Sequence, residues 1–278
     1  MERLLICTES DPPSVNMRDS LEELGEWEPI GSKDGTSVVR CGSDYIMSSK
    51  RWHVEFEDVL EVAGRFGVHP DLTVFMSRHS SESKKPVLTV HPIGNYHGND
   101  LGGKEKTLVK SAPAPMSAAL RSISALNDIE NMDVSFEVTH HGPWLDCPVF
   151  FIEVGSGVPQ WGNKHAAEIL ALALMNYKEE NYPVAVGVGG GHYAPRFTEA
   201  VLGRKVDIGH MIPNYQLDGR DREDIARMMR EACSASDTKT ILLHRKSMKG
   251  VCAAEIKEIA ESEGFEVASS SDFEELGQ

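Results

Sequence analysis

The sequence predicts an α/β protein, with three α/β/α layers built on a mostly parallel mixed sheet. Three observations carry this expectation. Short apolar runs alternate with helical stretches along most of the 278 residues, the pattern of strand–helix units stacked in layers. Residues 164–177 set Ala166, Ala167, Ile169, Leu170, Leu172 and Leu174 on one wide apolar face, as a helix covering a sheet requires. Polar and glycine-rich clusters follow directly after the apolar runs, where open α/β sheets carry their sites.

The first strand spans 4–8, an apolar core flanked by acids and too short for a signal peptide. Further strands are expected at 72–76, 87–90, 133–138, 149–154, 184–188, 207–210 and 240–243. Helices are expected at 56–66, 116–129, 164–177, 195–202, 222–232 and 251–263. The last helix stops at Gly264, and 265–268 form a terminal strand. Residues 94–115 are polar and rich in glycine, and read as a surface loop or small subdomain. No internal repeat or low-complexity linker interrupts the chain, so 1–278 is expected to be a single domain.

Composition narrows the function classes. A net charge of −15 argues against broad binding of DNA or other nucleic acid, because phosphate attraction needs a positive surface. Local basic patches are still available at Lys84 with Lys85, at Lys104 with Lys106 and Lys110, and at Arg245 and Lys246 with Lys249. No apolar run approaches the ~20 residues that cross a bilayer, so no membrane partner and a cytoplasmic location are expected, and a monomer. The cysteines (Cys7, Cys41, Cys147, Cys233 and Cys252) form no Cys-x-x-Cys pair, which rules out a zinc ribbon and a thioredoxin-type site. They read as reduced core residues.

The most informative stretch is 183–197. Val184, Val186 and Val188 make a buried strand, and Pro195 marks a helix start. Between them Gly189, Gly190 and Gly191 offer bare backbone N–H groups to a ligand, and His192, Tyr193 and Arg196 follow at once. Four more clusters sit at strand ends. Residues 76–83 gather Arg78, His79 and several hydroxyls. His91 ends the strand at 87–90 and meets His79 if the two strands are neighbours. His140 and His141 precede a Gly-Pro turn; on an extended strand their rings point to opposite faces. Glu153 lies within an apolar strand, where a carboxylate needs a partner or a metal. His210 repeats the strand-end pattern more weakly.

This chemistry suits hydrolysis: imidazoles or a metal activate water, and the glycine amides hold a developing oxyanion. There is no Gly-x-Ser-x-Gly elbow and no Gly-Lys-[Ser/Thr] phosphate loop, and a dinucleotide fingerprint fits poorly.

Four stretches together resemble the archaeal and plant type of D-aminoacyl-tRNA deacylase. They are Gly189-Gly-Gly-His-Tyr-Ala-Pro-Arg196, His140-His-Gly-Pro143, Ser77-Arg-His-Ser80 and Val90-His-Pro-Ile-Gly-Asn95. The resemblance runs over nearly the whole chain. It implies cleavage of the ester between a D-amino acid and the 3′-terminal ribose of tRNA, releasing both. It implies a phosphorylase/hydrolase-like fold, and zinc as the metal, with the aminoacylated acceptor end of tRNA as partner. On this expectation His140, His141, His79 and Glu153 are catalytic, and His79, His91, His140 and His141 are the metal ligands. Gly189, Gly190 and Gly191 polarise the ester carbonyl beside His192, Arg78 and Arg196 hold terminal phosphates, and Tyr193 stacks on the terminal adenine. The alternatives are a zinc-dependent exopeptidase or amidohydrolase of the same fold, a noncatalytic tRNA-binding module, and a nucleoside phosphorylase relative.

Overall fold

The computed structural model describes residues 1–82, 84–248 and 253–277. In chain order come β1 (Arg3–Thr8), α1 (Pro12–Leu24), β2 (Glu28–Lys33), β3 (Thr36–Cys41), β4 (Asp44–Ser49), α2 (Val59–Gly64), β5 (Leu72–Arg78) and β6 (Val87–His91). The short ribbon strands β7 (Gly94–Asn95) and β8 (Thr107–Leu108), then α3 (Pro113–Leu126), β9 (Asp133–Phe136) and β10 (Val149–Gly155) follow. The rest is α4 (Val158–Trp161), α5 (Lys164–Asn176), β11 (Val184–Val188), α6 (Pro195–Gly203), β12 (Asp207–Ile212), α7 (Asn214–Leu217), α8 (Arg222–Ala235), β13 (Thr240–Leu243), α9 (Ala253–Ser262) and β14 (Glu266–Ala268).

Among the described residues two large sheets and the β7–β8 ribbon form where one sheet was expected. The larger has eight strands in the order β2-β3-β4-β1-β5-β10-β6-β9, and the smaller has four in the order β12-β11-β13-β14. The smaller is wholly parallel. The larger is parallel through β4, β1, β5 and β10, and antiparallel at β6 against β10 and in the β2–β4 meander. Residues 137–139 explain the split. After Glu137, whose N–H still donates to the Val90 carbonyl of β6 (3.1 Å), Val138 N–H donates to the His192 carbonyl (3.0 Å) and Thr139 N–H to the Met211 carbonyl (3.3 Å). The segment thus stitches one sheet to the other, and strand 133–138 ends at Phe136 instead.

The layers are those expected. One core joins Met17 and Leu21 of α1, Met116 and Leu120 of α3, Leu170 of α5 and Phe197 of α6 to residues of both sheets. A second lies on the opposite face of the large sheet, around Phe56, Val59, Phe75 and Phe151. A third packs α8 and α9 on the small sheet through Ile225, Met229, Ile256 and Ile259. The first core spans both sheets, so they bury apolar surface as one body.

Every expected strand and helix has its counterpart; ends move by a few residues. Helix 56–66 shortens to α2, and 116–129 starts earlier because Pro113 and Pro115 fit a first turn. The expected start of the last helix, Val251 with Cys252, and Ser83 and Lys249 lie outside the described residues. Within 94–115 the ends are buried, at Gly94, Asn95, Tyr96, Val109, Ser111 and Ala112, while most of 98–106 is exposed as a surface excursion; β7 and β8 pair with each other.

His210 on β12 is a core histidine. Its Nδ1 and Nε2 lie 3.0 Å from Thr139 Oγ1 and 2.8 Å from the Val109 carbonyl. Burial lowers its pKa from 6.5 to about 4. The unfolded chain therefore takes up this proton first. The stability it contributes is complete above pH 6.5 and is lost as pH falls to about 4, a change of about 3 kcal/mol. His210→Gln should lose less stability than the wild type between those pH values, as read from denaturant midpoints.

Candidate active site

The alternation of strand side chains builds this site. On β5, β6 and β10 the even-numbered residues Val74, Met76, Leu88, Val90, Ile152 and Val154 enter the first core. The odd-numbered Phe75 and Phe151 enter the second. Ser77, Glu153 and His91 share that second face, and the parallel register sets Glu153 beside Ser77. Glu137 follows Phe136 of the first core, so it too faces the second side. Neighbouring strands therefore end with polar groups aimed at one place.

Glu137 is the centre of it. Its Oε2 lies 2.9 Å from His192 Nε2, 3.1 Å from His79 Nδ1 and 3.6 Å from His140 Nε2. Glu153 Oε2 lies 3.5 Å from His79 Nδ1 and 3.7 Å from His91 Nε2. Both carboxylates are buried. Burial pushes both pKa values up, but the imidazoles outweigh it and hold both below the usual carboxylate range. His79 answers them: burial opposes its charge, yet hydrogen bonds to Glu137 and Glu153 raise its pKa to about 11. Its Nε2 lies 3.0 Å from the Tyr193 hydroxyl.

A second group faces the first. The Nδ1 atoms of His91, His140 and His141 lie 3.2, 2.7 and 2.6 Å from the carbonyls of Pro92, Val138 and Gly142. A carbonyl only accepts, so each Nδ1 carries a proton, and the neutral rings of His140 and His141 present Nε2 as a lone pair. Burial, then the charge of His91, lowers the pKa of His140, and that of His141 to about 3. His91 goes the other way; burial lowers it, but Glu153 raises it further.

Three sets of side chains have ligand atoms close enough to share one metal ion: His91, His140 and His141; His79, Glu137 and His192; and His91, Glu137 and Glu153. The fit to a divalent cation is good. Glu137 Oε1 and His91 Nε2 are buried without a hydrogen-bond partner. Imidazole rings pinned through Nδ1 to carbonyls are the usual support of metal-bound histidines. Nitrogen and oxygen donors of this kind suit zinc.

The structure corrects several expectations. His140 and His141 do not point apart. Their rings are 4.4 Å from centroid to centroid, because the strand has ended and His141 adopts a left-handed φ of 47°. The amides of Gly189 and Gly190 are not free for an oxyanion: they donate to the Ile212 carbonyl and to Ser247 Oγ, both at 2.8 Å. Gly191 is exposed. Gly189 serves close packing, since a Cβ there would stand 3.0 Å from Ser247 Oγ. Arg196 turns to Glu199 and Ser270, in a groove with His244 and Arg245. Arg78 stacks between Trp52 and Trp161 and makes no contact with the histidine cluster. His79, His91, His140, His141, His192, Tyr193 and Glu153 do come together.

Sequence reasoning missed Glu137 and His53. The signal for Glu137 was the one used for Glu153, a carboxylate within an apolar strand. His53, whose Nε2 lies 3.0 Å from Ser77 Oγ, follows no recognisable pattern. Gly155 is a further support. A Cβ there would lie 2.7 Å from His79 Cβ and 2.8 Å from its Cδ2. Gly155→Ala should shift His79, destabilise the fold by about 1–3 kcal/mol and reduce turnover. Unfolding midpoints and kcat check both effects.

Five imidazoles and two carboxylates at the strand ends of a layered α/β scaffold define a hydrolytic enzyme. Comparison with known proteins agrees. The profile of the D-aminoacyl-tRNA deacylase family matches residues 66–268. A D-aminoacyl-tRNA deacylase of Thermococcus kodakarensis is 34% identical, over 95% of this chain and 98% of its own length. Another, of Methanococcoides burtonii, is 33% identical over 98% of this chain, which spans 57% of that relative's length. A crystal structure described as a conserved protein of unknown function superposes with a TM-score of 0.88, at 29% identity and 99% coverage of both chains. The chain belongs to the D-aminoacyl-tRNA deacylase family. The peptidase, phosphorylase and noncatalytic alternatives are not favoured.

Proposed function

We propose that this protein hydrolyses the ester bond of D-aminoacyl-tRNA, releasing the D-amino acid and a reusable tRNA. The observation that carries the reading is the convergence of His79, His91, His140, His141 and His192 on Glu137 and Glu153, in a chain of this family. An aminoacyl ester is an activated acyl group, so a positioned water is enough to cleave it.

Zinc is the proposed metal, held by His91, His140 and His141 or by His79, Glu137 and His192. When bound it supplies Lewis acidity. The chain's own groups do the rest. Glu137 and Glu153 hold His79 charged and oriented, and His79 holds the Tyr193 hydroxyl at the margin of the cluster. That position lets Tyr193 meet the terminal nucleoside. His140 and His141 are only partly buried and line a cavity of about 250 Å³ with Gly94, Asn95 and Thr139. A neutral imidazole facing such a cavity is placed to accept a proton from water. Shape selects the D isomer: a close wall at the substrate Cα excludes the L side chain.

The acceptor end of aminoacylated tRNA is the proposed partner, with neither DNA nor membrane involved, and the protein is proposed to act as a cytoplasmic monomer. Among the described residues no helix is long and apolar enough to cross a membrane.

The test is release of tyrosine from D- and L-tyrosyl-tRNA, with and without a chelator. Release of D-tyrosine alone, abolished by the chelator and restored by zinc, is the expected result. Equal release of both isomers would overturn the stereochemical reading, and chelator insensitivity would overturn the metal.

A further inference from the structure

Beside the histidine cluster stands a three-layer stack, whose Trp52 ring also lies 4.1 Å from that of His53. The Arg78 guanidinium lies 4.8 Å from the ring centroid of Trp52 and 4.6 Å from that of Trp161. Both distances are within cation–π range on both faces of one cation. Neither indole is fully buried, and the Arg78 side chain keeps 32% of its surface exposed. Two anchors fix the stack. Asp11, wholly buried, accepts the Arg78 backbone N–H at 2.8 Å and faces its guanidinium at 3.9 Å. That longer separation leaves the fork of donors along the guanidinium edge without a close acid. Trp161 Nε1–H donates to the His79 carbonyl at 2.9 Å, which ties the stack directly to the catalytic cluster.

Placement and chemistry both point outward. Arg78 precedes His79 in the chain, so the stack is one residue from the site. The adjoining Lys50 and Arg51 are exposed. Arg51 pairs with Asp58, while Lys50 is exposed beside Trp52 in the chain. On a chain of net charge −15, an RNA must find its positive contacts in such a local patch. Aromatic faces interleaved with guanidinium groups are the composition that binds unpaired bases and their phosphates.

We propose that Trp52, Arg78 and Trp161 form the platform for the unpaired 3′ end of the tRNA. A base stacks on an indole face, and a backbone phosphate meets the guanidinium edge. This rests on the function proposed above and adds where the RNA lies. It differs from the expectation that Arg78 acts alone on phosphate, since the two tryptophans carry the base.

The test separates the RNA from the ester. Trp52→Ala should raise KM for D-tyrosyl-tRNA about tenfold, the effect of one lost stacked base. Its kcat should stay within about twofold, because the platform binds ground and transition states alike. D-tyrosine ethyl ester, which lacks RNA, should be cleaved by Trp52→Ala and wild type at the same rate. Trp52→Phe should recover most of the loss. An equal loss on both substrates, or an unchanged KM for the tRNA, would overturn the proposal. Should the wild type release no D-tyrosine, the proposed activity fails separately. Titration with a short single-stranded RNA ending in CCA then decides the platform: indole fluorescence quenched in wild type and not in Trp52→Ala supports it, and no quenching overturns it.

Discussion

Replacing Glu137 with glutamine is expected to reduce turnover of D-tyrosyl-tRNA by at least about 100-fold. No other side chain in the site faces as many partners: one oxygen stands within 3.6 Å of His192, His79 and His140. Glutamine keeps the shape and loses the charge. His79 then has only Glu153 to hold its proton, and His192 loses its one carboxylate. The fold should survive, because the side chain is the same size and the first core is untouched. Circular dichroism and an unfolding midpoint check that point. Single-turnover release of D-tyrosine measures the main effect, and a wild-type rate in a folded variant would remove Glu137 from the mechanism.

Substituting His140 or His141 by alanine is expected to lower kcat by about 100-fold or more while the tRNA Kd changes little. Both rings offer a ligand atom beside that of His91, and both are pinned through Nδ1 to a backbone carbonyl. Removing either leaves two imidazoles in the group of three. Zinc content of the purified variants, measured by plasma emission, should fall with kcat. Full zinc with lost turnover would make the two histidines proton carriers only. Undiminished turnover would refute the role assigned to both.

Much of the fold was legible, because strand and helix periodicity are local properties. The runs that became β1, β5, β6, β10 and β11 are continuous apolar stretches, as strands buried on both faces must be. The region between β1 and α2 was not seen. There β2 is mostly exposed and β3 only partly buried, β4 is buried but polar at both ends, and α1 buries only Pro13, Ser14, Met17 and Leu21. One signal there went unused. Asp34-Gly35, both at positive φ, closes the hairpin between β2 and β3 in the manner such pairs favour.

The site residues were mostly named from the sequence, and their arrangement was not. A histidine or carboxylate at a strand end is visible to anyone counting residues, so His79, His91, His140, His141, His192 and Glu153 could be listed. Residue order alone tells which chemistry the strand ends carry. Long-range contacts bring Glu137 to them, make His140 and His141 converge, and spend the Gly189 and Gly190 amides on internal hydrogen bonds. The physical reason is range. Alternation acts between neighbours in the chain, whereas strand order, the turn at His141 and the stitch from Val138 to His192 come from contacts across dozens of residues.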